Sequence, residues 1–365
     1  MIETCEFDVV IIGAGVIGLA VARELSEVYE NVLLVEKEKS FGQHTSSRNS
    51  EIIHSGIYYP KKTLKTKMCI EGNKLMYQFL EKYNIPHKKC GKLIVATNRK
   101  EEEVLEQLYQ RGIENGVEAL TMLDKKGIKK LEPNIKATKA IHVPITGIVD
   151  SHLVMLNLKR ISQQNGVLSV YNTEISEIKL KNDIYELTTT GEDVIIQTKI
   201  VVNAAGLWSD KIAKMVGIDK YKIYWCKGEY YQTNKYKNMN MLIYPTPDPN
   251  GKSLGIHTVL DLNGNLSFGP NAYYVNEVKY GIGEENRVQF HAAINSYLDL
   301  DLCDLYPAHA GIRPKLQEKD SLFKDFVIKN EDDLGYNNFI NLIGIESPGL
   351  TGCLSIAKYV REIIK

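Results

Sequence analysis

The chain has 365 residues, enough to bury a large core in one to three domains. Its 45 Lys and Arg residues balance 45 Asp and Glu, which leaves no global field for nucleic acid or an anionic membrane, so any steering of an acidic ligand must be local. The six cysteines (Cys5, Cys69, Cys90, Cys226, Cys303, Cys353) are scattered without a CxxC, and the eight histidines show no HxxxH or HxH spacing; both patterns predict free thiols in a reducing compartment and no metal.

The first predicted element is the apolar run Asp8–Ile12. It starts within ten residues of Met1, which leaves no room for a signal or transit peptide, and no apolar run approaches the ~20 residues that span a bilayer. A cytoplasmic protein is expected, with peripheral contact at the inner face of a membrane left open. Gly13-Ala14-Gly15-Val16-Ile17-Gly18 follows the run at once. A helical stretch then extends to about Tyr29, and a second apolar run, Val32–Val35, ends at Glu36. Strand, glycines, helix, strand and acid in this register predict a dinucleotide-binding unit. Gly13 permits the tight turn, Gly15 lets a pyrophosphate approach the backbone, and Gly18 lets helix and strand pack closely. The N–H groups of Gly15, Val16 and Ile17 then face the phosphates from a positive helix end. Glu36 is placed to accept both hydroxyls of an adenosine ribose and to repel a 2′-phosphate, which argues against NADP.

The middle of the chain reads as β-rich. Tyr185–Thr190 and Asp193–Gln197 read as a hairpin or meander, Asn172–Lys179 as a strand of alternating character, and Lys92–Thr97, Tyr221–Gln232, Leu254–Asp261 and Asn265–Gly269 as further strands. Asn263-Gly264 signals a hairpin between the last two. Helices are predicted over Glu101–Asn115 and Arg287–Tyr297. Lys199–Asp210 is an apolar strand running into Asn203-Ala204-Ala205-Gly206, where small residues let a ligand lie close above the sheet. At the end, the strand Phe339–Ile343 leads to a Gly-rich turn and a last helix. Ser347 is expected to cap this helix and Pro348 to begin it, which aims the N–H groups of Gly349, Leu350 and Thr351 at a ligand. NAD needs no such second helix terminus. A flavin does, because its N1–C2=O edge turns anionic on reduction.

With these segments the chain resembles the FAD-dependent oxidoreductases of the D-amino-acid oxidase and glycerol-3-phosphate dehydrogenase superfamily, and within it the L-2-hydroxyglutarate dehydrogenase (oxidase) family. The resemblance spans nearly the whole chain. It rests on Ser46-Ser47-Arg48-Asn49-Ser50, Ile53-His54-Ser55-Gly56-Ile57-Tyr58-Tyr59-Pro60, Lys227-Gly228-Glu229-Tyr230-Tyr231, Leu254-Gly255-Ile256-His257-Thr258, Phe268-Gly269-Pro270-Asn271-Ala272 and Ala310-Gly311-Ile312-Arg313-Pro314. Glu51 stands where the family usually has glycine, and Lys227 where some members have arginine. The resemblance implies α/β plus α+β: a Rossmann-like FAD domain (1–85, 147–212, 310–365) interleaved with a mixed, mainly antiparallel-sheet substrate domain (86–146, 213–309). It implies non-covalent FAD, met also by Lys37, Thr45, Ser46, Ser47, Arg48 and Asn49, by the backbone near Glu174 and Ile175 at the adenine, and by Arg313. His44 is a further candidate for the pyrophosphate.

The implied reaction oxidises a 2-hydroxy acid, L-2-hydroxyglutarate first, by hydride transfer to flavin N5. His54 is the expected base, since an unperturbed pKa of about 6.5 suits proton abstraction near neutrality. Arg313 is the expected carboxylate anchor, through its planar fork. Lys227 and His257 are candidates for a distal carboxylate or for orientation, and Tyr59, Tyr230 and Tyr244 for the pocket wall. The reduced flavin would pass its electrons to oxygen, a quinone or an electron-transfer protein. Two alternatives stand beside this: an amino-acid or sarcosine-type oxidase, which would keep Arg313 but need no base, and a flavin-binding subunit that only relays electrons. A glycerol-3-phosphate dehydrogenase fits the His54 context less well.

Overall fold

The computed structural model describes residues 3–191, 194–247 and 255–365; Asp193 and Leu254, the first residues of two predicted strands, lie outside the described residues. The centre is a parallel sheet in the order Phe339–Ile343, Val194–Asn203, Glu3–Ile12, Val32–Val35, Leu168–Val170. Its strands are near-continuous apolar runs because both faces are covered. The side chains of Val9 and Ile11 face the helices Val16–Leu25, Leu64–Lys82, Ser151–Gln164 and Gly349–Ile363. Those of Val10 and Ile12 face the opposite layer, which contains the hairpin Ile175–Lys181/Ile184–Thr189 and the helix Ser209–Met215. The period-2 alternation of a strand thus sorts one run into two cores.

Val194–Asn203 is shared between two partners. Its first half takes Ile184–Thr189 antiparallel, and Val201–Asn203 take Phe339–Asn341 parallel. The meander read from the sequence is therefore an extension of the parallel sheet. The predicted strand over Asn172–Lys179 starts three residues later, at Ile175, because Asn172 has a φ of 54° and turns the chain first.

The second half is antiparallel. Tyr224–Thr233 pairs with Tyr306–Lys315 on one edge and with Tyr273–Val275 and Leu266–Gly269 on the other, and His257–Leu260 completes this sheet. Asp261–Asn265 makes the turn of the hairpin signalled by Asn263-Gly264, with Gly264 at φ +82°. A second sheet, Leu242–Pro245, Lys92–Ala96, Lys139–Val143 and Thr121–Asp124, packs under the helix Arg99–Glu114. Tyr306–Lys315 bonds along its whole length to Tyr224–Thr233, so the chain stays in this sheet as far as Lys315. Ile52–Ile53, His87–Lys88 and Gly147–Val149 form a small sheet where the chain passes between the two halves. The fold is mixed α/β with parallel and antiparallel sheets.

Candidate functional site

A cavity of about 1380 Å³ opens at the carboxyl ends of the parallel strands. Ile12, Val35, Ala204, Ala205, Gly206 and Leu342 line it there, which is where open α/β sheets bind ligands. It continues to the antiparallel sheet, where His54, Tyr230, His257 and Arg313 line it.

At the first end, recognition is built from backbone. Gly13 has φ +106°, and a Cβ there would lie 2.6 Å from the Ala204 carbonyl oxygen. Gly18 does not line the cavity; its Cβ would meet the Gly13 oxygen at 1.8 Å, so its job is close packing of helix on strand. The helix Val16–Leu25 has no side-chain cap from Gly15, and the Val16 N–H donates to Ser46 Oγ at 2.9 Å. Glu36 accepts the Ala14 N–H on one oxygen (2.7 Å) and the Glu38 N–H on the other (2.9 Å), which fixes its carboxylate at the strand end. The helix Gly349–Ile363 also starts without a side-chain cap, and Pro348, Gly349 and Leu350 line the same cavity. Two helix N-termini facing one long cavity, with the first N–H of each already engaged (Val16 by Ser46, Gly349 by the Glu346 carbonyl) and an acid at the second strand end, fit a dinucleotide carrying a flavin.

Other predicted cofactor contacts lie along the same wall. Lys37 Nζ sits 3.1 Å above the Trp208 ring centroid, and Thr45 Oγ1 donates to the Ile312 carbonyl at 2.8 Å. Asn49 Nδ2 donates to the Ser46 carbonyl, and the Arg48 guanidinium lies 4.0 Å from the Tyr280 ring centroid. Glu174 and Ile175 face the cavity at the start of the hairpin. His44 lines it too, with its ring nitrogens engaged by Tyr280 and Glu38. Two residues depart from expectation. Ser47 is exposed outside the cavity and donates to the His44 carbonyl. Thr351 is fully buried, and its hydroxyl accepts the His54 N–H (2.9 Å) and donates to the Ile52 carbonyl (3.3 Å). It therefore ties His54 to the last helix instead of facing a ligand.

At the second end, side chains from distant strands converge. His54 Nε2 lies 3.2 Å from Ser347 Oγ, and the His54 carbonyl accepts Asn73 Nδ2. The predicted capping role of Ser347 fails because the helix starts at Gly349 with Pro348 at the cap position; the hydroxyl turns to His54 instead. Burial, with Lys92 and His257 nearby, pushes His54 down to about 3, so it is neutral at pH 7 rather than half-titrated. Arg313 donates to the Asn271 carbonyl (3.0 Å) and to Cys226 Sγ (3.4 Å). Among the described residues no carboxylate lies within ion-pair distance of it. Gly228 makes room for the fork: a Cβ there would lie 2.5 Å from Arg313 Nη2. Tyr230 stacks on His309 with centroids 4.2 Å apart and exchanges a hydrogen bond with Ser50 at 2.7 Å. His257 donates Nδ1–H to the Gly255 carbonyl at 3.0 Å, which leaves Nε2 as its acceptor, and burial pushes it down to about 3. Tyr59 lines the cavity beside Ser347. Glu51 has φ 54°, the left-handed region that favours glycine, and its carboxylate accepts the Ser151 N–H and hydroxyl.

Two expected pocket residues are turned away. Lys227 does not line the cavity; its ammonium binds the Gly281 carbonyl and lies 3.3 Å from Glu229. The reason is strand parity: Cys226, Gly228 and Tyr230 face Arg313 and the cavity, so Lys227 and Glu229 face the other side. Tyr244 is also absent from the wall and stacks behind His257, with centroids 3.9 Å apart. The sequence reading missed Gly228, the contact of Ser347 with His54, and a buried cluster in which Lys65 (3.0 Å) and Lys315 (3.3 Å) share Glu346 at the cavity wall. Alternation through Tyr224–Thr233 is the signal that places Gly228 beside Tyr230.

The family described as FAD dependent oxidoreductase (DAO) matches residues 8–363. An L-2-hydroxyglutarate dehydrogenase of Arabidopsis thaliana is 37% identical over 97% of this chain and 82% of its own, and other L-2-hydroxyglutarate dehydrogenases match over similar spans. A glycerol 3-phosphate dehydrogenase of Caloramator mitchellensis is 35% identical over 98% of this chain and 74% of its own. Among solved structures, the L-α-glycerophosphate oxidase of Mycoplasma pneumoniae with FAD bound superposes with a TM-score of 0.88 at 30% identity, over 99% of this chain and 95% of that one. With the cavity, its two helix termini and these matches in agreement, the chain belongs to the DAO family of FAD-dependent oxidoreductases acting on CH–OH donors, among relatives that include the L-2-hydroxyglutarate dehydrogenases.

Proposed function

We propose that the protein oxidises an anionic 2-hydroxy acid, L-2-hydroxyglutarate to 2-oxoglutarate. The observation that carries this is a half-buried Arg313 with no carboxylate partner among the described residues, in one cavity with a neutral His54. The guanidinium fork binds the substrate's C1 carboxylate, and the proton of the C2 hydroxyl leaves to His54 Nε2. In the free protein Ser347 Oγ lies 3.2 Å from that nitrogen, in the position the substrate hydroxyl takes over. FAD, held without a covalent bond, supplies the two-electron acceptor for the C2 hydrogen. The amides of Gly15 and Ile17 would hold its pyrophosphate, Glu36 its ribose and the backbone near Glu174 its adenine, and the amide of Leu350 would meet the flavin, whereas the Val16 N–H is taken by Ser46 Oγ. The C-terminal helix positions both the cofactor edge and, through Thr351, the base.

A second reading has specific support. The curated relative from Caloramator mitchellensis and the superposed oxidase are named for a phosphate ester of glycerol, and Lys65 and Lys315 add cationic charge beside Glu346. Glycerol 3-phosphate offers the same secondary alcohol next to a dianion. Anaerobic mixing of the yellow holoprotein with L-2-hydroxyglutarate, lactate, glycerol 3-phosphate, glycine and proline tests both. Bleaching by L-2-hydroxyglutarate supports the first reading, and bleaching by glycerol 3-phosphate alone replaces it with the second. Bleaching only by the amino acids removes both.

A further inference from the structure

Behind the wall that carries His257 lies a charge without a counterion. Lys92 opens the strand Lys92–Ala96 and is 0% exposed. Its Nζ has no hydrogen-bond partner and no carboxylate within ion-pair distance among the described residues. It sits 4.4 Å from the Tyr58 ring centroid and 4.8 Å from that of Tyr244, and the hydroxyls of both tyrosines are likewise buried without a partner. These rings connect it to the cavity, because Tyr58 lines the cavity and Tyr244 stacks on His257, which also lines it. A buried ammonium in such surroundings is costly unless something compensates it.

The ionisable groups facing Lys92 offer no compensation near pH 7. Burial pushes the Cys69 thiol, on the helix Leu64–Lys82, up to about 12, and pushes the Tyr58 and Tyr244 phenols well above their usual range. His54 and His257 are pushed down to about 3, mainly by burial and in part by Lys92 itself, so both imidazoles are neutral. Arg313, on the wall of the same cavity, adds a second positive charge rather than a negative one.

We propose that Lys92 is a positioning residue for anionic substrates: its ammonium, held behind Tyr58 and the Tyr244–His257 stack, draws an anion into the cavity and gains a proton as that anion binds. This rests on the reading of the cavity as the site of an anionic substrate. Burial brings Lys92 down to about 7, so it is charged below that pH and neutral above it. An anion favours the charged form. Affinity is therefore highest below about pH 7 and falls as pH rises, and binding above that pH takes up protons.

The test uses FAD-loaded protein and two anions that are not oxidised and do not titrate between pH 6.5 and 9: glutarate, a dicarboxylate, and sulfate, a tetrahedral dianion. Binding is followed by the flavin spectrum and proton uptake by an indicator dye in weak buffer. The wild type is expected to bind at least one of them roughly tenfold more weakly at pH 9 than at pH 6.5, the size of one unit charge acting through a side-chain layer. It is also expected to take up a substantial fraction of a proton at pH 8. Lys92→Met is expected to bind at the weak limit at every pH with no uptake. Lys92→Arg, which stays charged, is expected to bind without pH dependence and without uptake. A wild type whose binding is flat with pH and takes up no proton overturns the proposal even if neither variant folds. A Lys92→Met protein that keeps the wild-type pH dependence and uptake also overturns it. In both cases the reading of the cavity as an anion site survives. Failure of both anions to bind, together with no bleaching by any acid or phosphate ester, overturns that reading and this proposal with it.

Discussion

At the dinucleotide end of the cavity the ligand-facing groups come from short contiguous stretches, whereas at the Arg313 end they come from strands that meet only in the folded protein. Gly13, Gly15, Val16, Ile17 and Glu36 line the dinucleotide end through the backbone turn, the helix terminus and one carboxylate gripped by two N–H groups. His54, Gly228, His257, Arg313 and Ser347 belong to five separate segments. Recognition by backbone tolerates changes in side chains as long as the turn is kept. Recognition by converging side chains depends on register, because a shift of one residue reverses which face a strand presents. The two ends should therefore respond differently to substitution, and five changes test that contrast.

The largest effect is expected at His54. His54→Asn keeps a hydrogen-bonding side chain but cannot take the hydroxyl proton, and the rate of flavin reduction should fall by about 10²–10⁴-fold with FAD still bound. Stopped-flow reduction reads this directly. Burial holds His54 at about 3, so the base form is already complete at pH 5 and is lost only as pH falls through the region near 3. The wild-type reduction rate at saturating substrate should show no acid limb between pH 5 and 8 from this residue. An acid limb near pH 6.5 that disappears in His54→Asn would mean that bound substrate reverses the effect of burial.

Next comes Arg313. A lysine point charge cannot reproduce the two parallel bonds of the fork, so Arg313→Lys should raise KM by roughly 10–100-fold, the range for losing a charge-assisted hydrogen bond. Gly228→Ala should do the same more weakly, since the new Cβ would lie 2.5 Å from Nη2 and displace the guanidinium without removing it. Steady-state KM for both variants gives the ordering. Equal KM in Arg313→Lys and wild type would remove the anchor.

Legibility followed the same division. The first βαβ unit, the Ala204–Gly206 turn and the last helix were readable because their physics is local: a glycine, a helix start and an acid at fixed offsets. Gly18, expected both to pack helix on strand and to belong to the cofactor site, approaches the Gly13 oxygen and does not line the cavity. The second end was read less well. His54 and Arg313 do meet in one cavity, but the Ser-Pro pattern predicts a cap at Ser347, whose hydroxyl faces His54, and Tyr244, expected in the pocket wall, lies one layer behind it. Each error concerns where a side chain points, and that depends on partners far away in the chain. The pairing of Cys226 with Arg313 joins residues 87 positions apart, and no local pattern contains it.

At the dinucleotide end, Glu36→Ala should weaken FAD binding by about 1.5–3 kcal/mol, as the ribose loses a charged acceptor. FAD titration of the apoprotein measures this. Flavin reduction in the FAD-saturated variant should stay near the wild-type rate, because Glu36 lies at the far end of the cavity from His54. A large loss of reduction rate at saturating FAD would join the two ends more closely than their construction implies.

The smallest catalytic effect is expected at Lys227, and it sharpens the contrast most. The sequence makes Lys227 a candidate for a distal carboxylate, and a cation in that role would raise KM for a dicarboxylate while sparing a monocarboxylate such as lactate. In the fold its ammonium lies on the face of Tyr224–Thr233 opposite Arg313, against Glu229 and the Gly281 carbonyl. Lys227→Met should therefore change KM less than twofold for either class of acid. Its effect should appear in stability instead. Glu229 is almost fully buried and, among the described residues, would keep only Tyr273 (2.5 Å) and Asn286 (2.7 Å) as side-chain partners for its carboxylate. Breaking a buried pair by removing one partner typically costs about 3–5 kcal/mol, and the two remaining donors place this case at the lower end. Denaturant unfolding of the holoprotein measures the loss, and KM with both acids measures the other half of the argument. A selective rise in KM for the dicarboxylate would show that strand parity had been misjudged at this position and that the ammonium reaches the substrate. A loss of stability with unchanged KM would show that the parity of a single strand decides which of two adjacent charges, Lys227 or the guanidinium opposite Cys226, is available to a ligand.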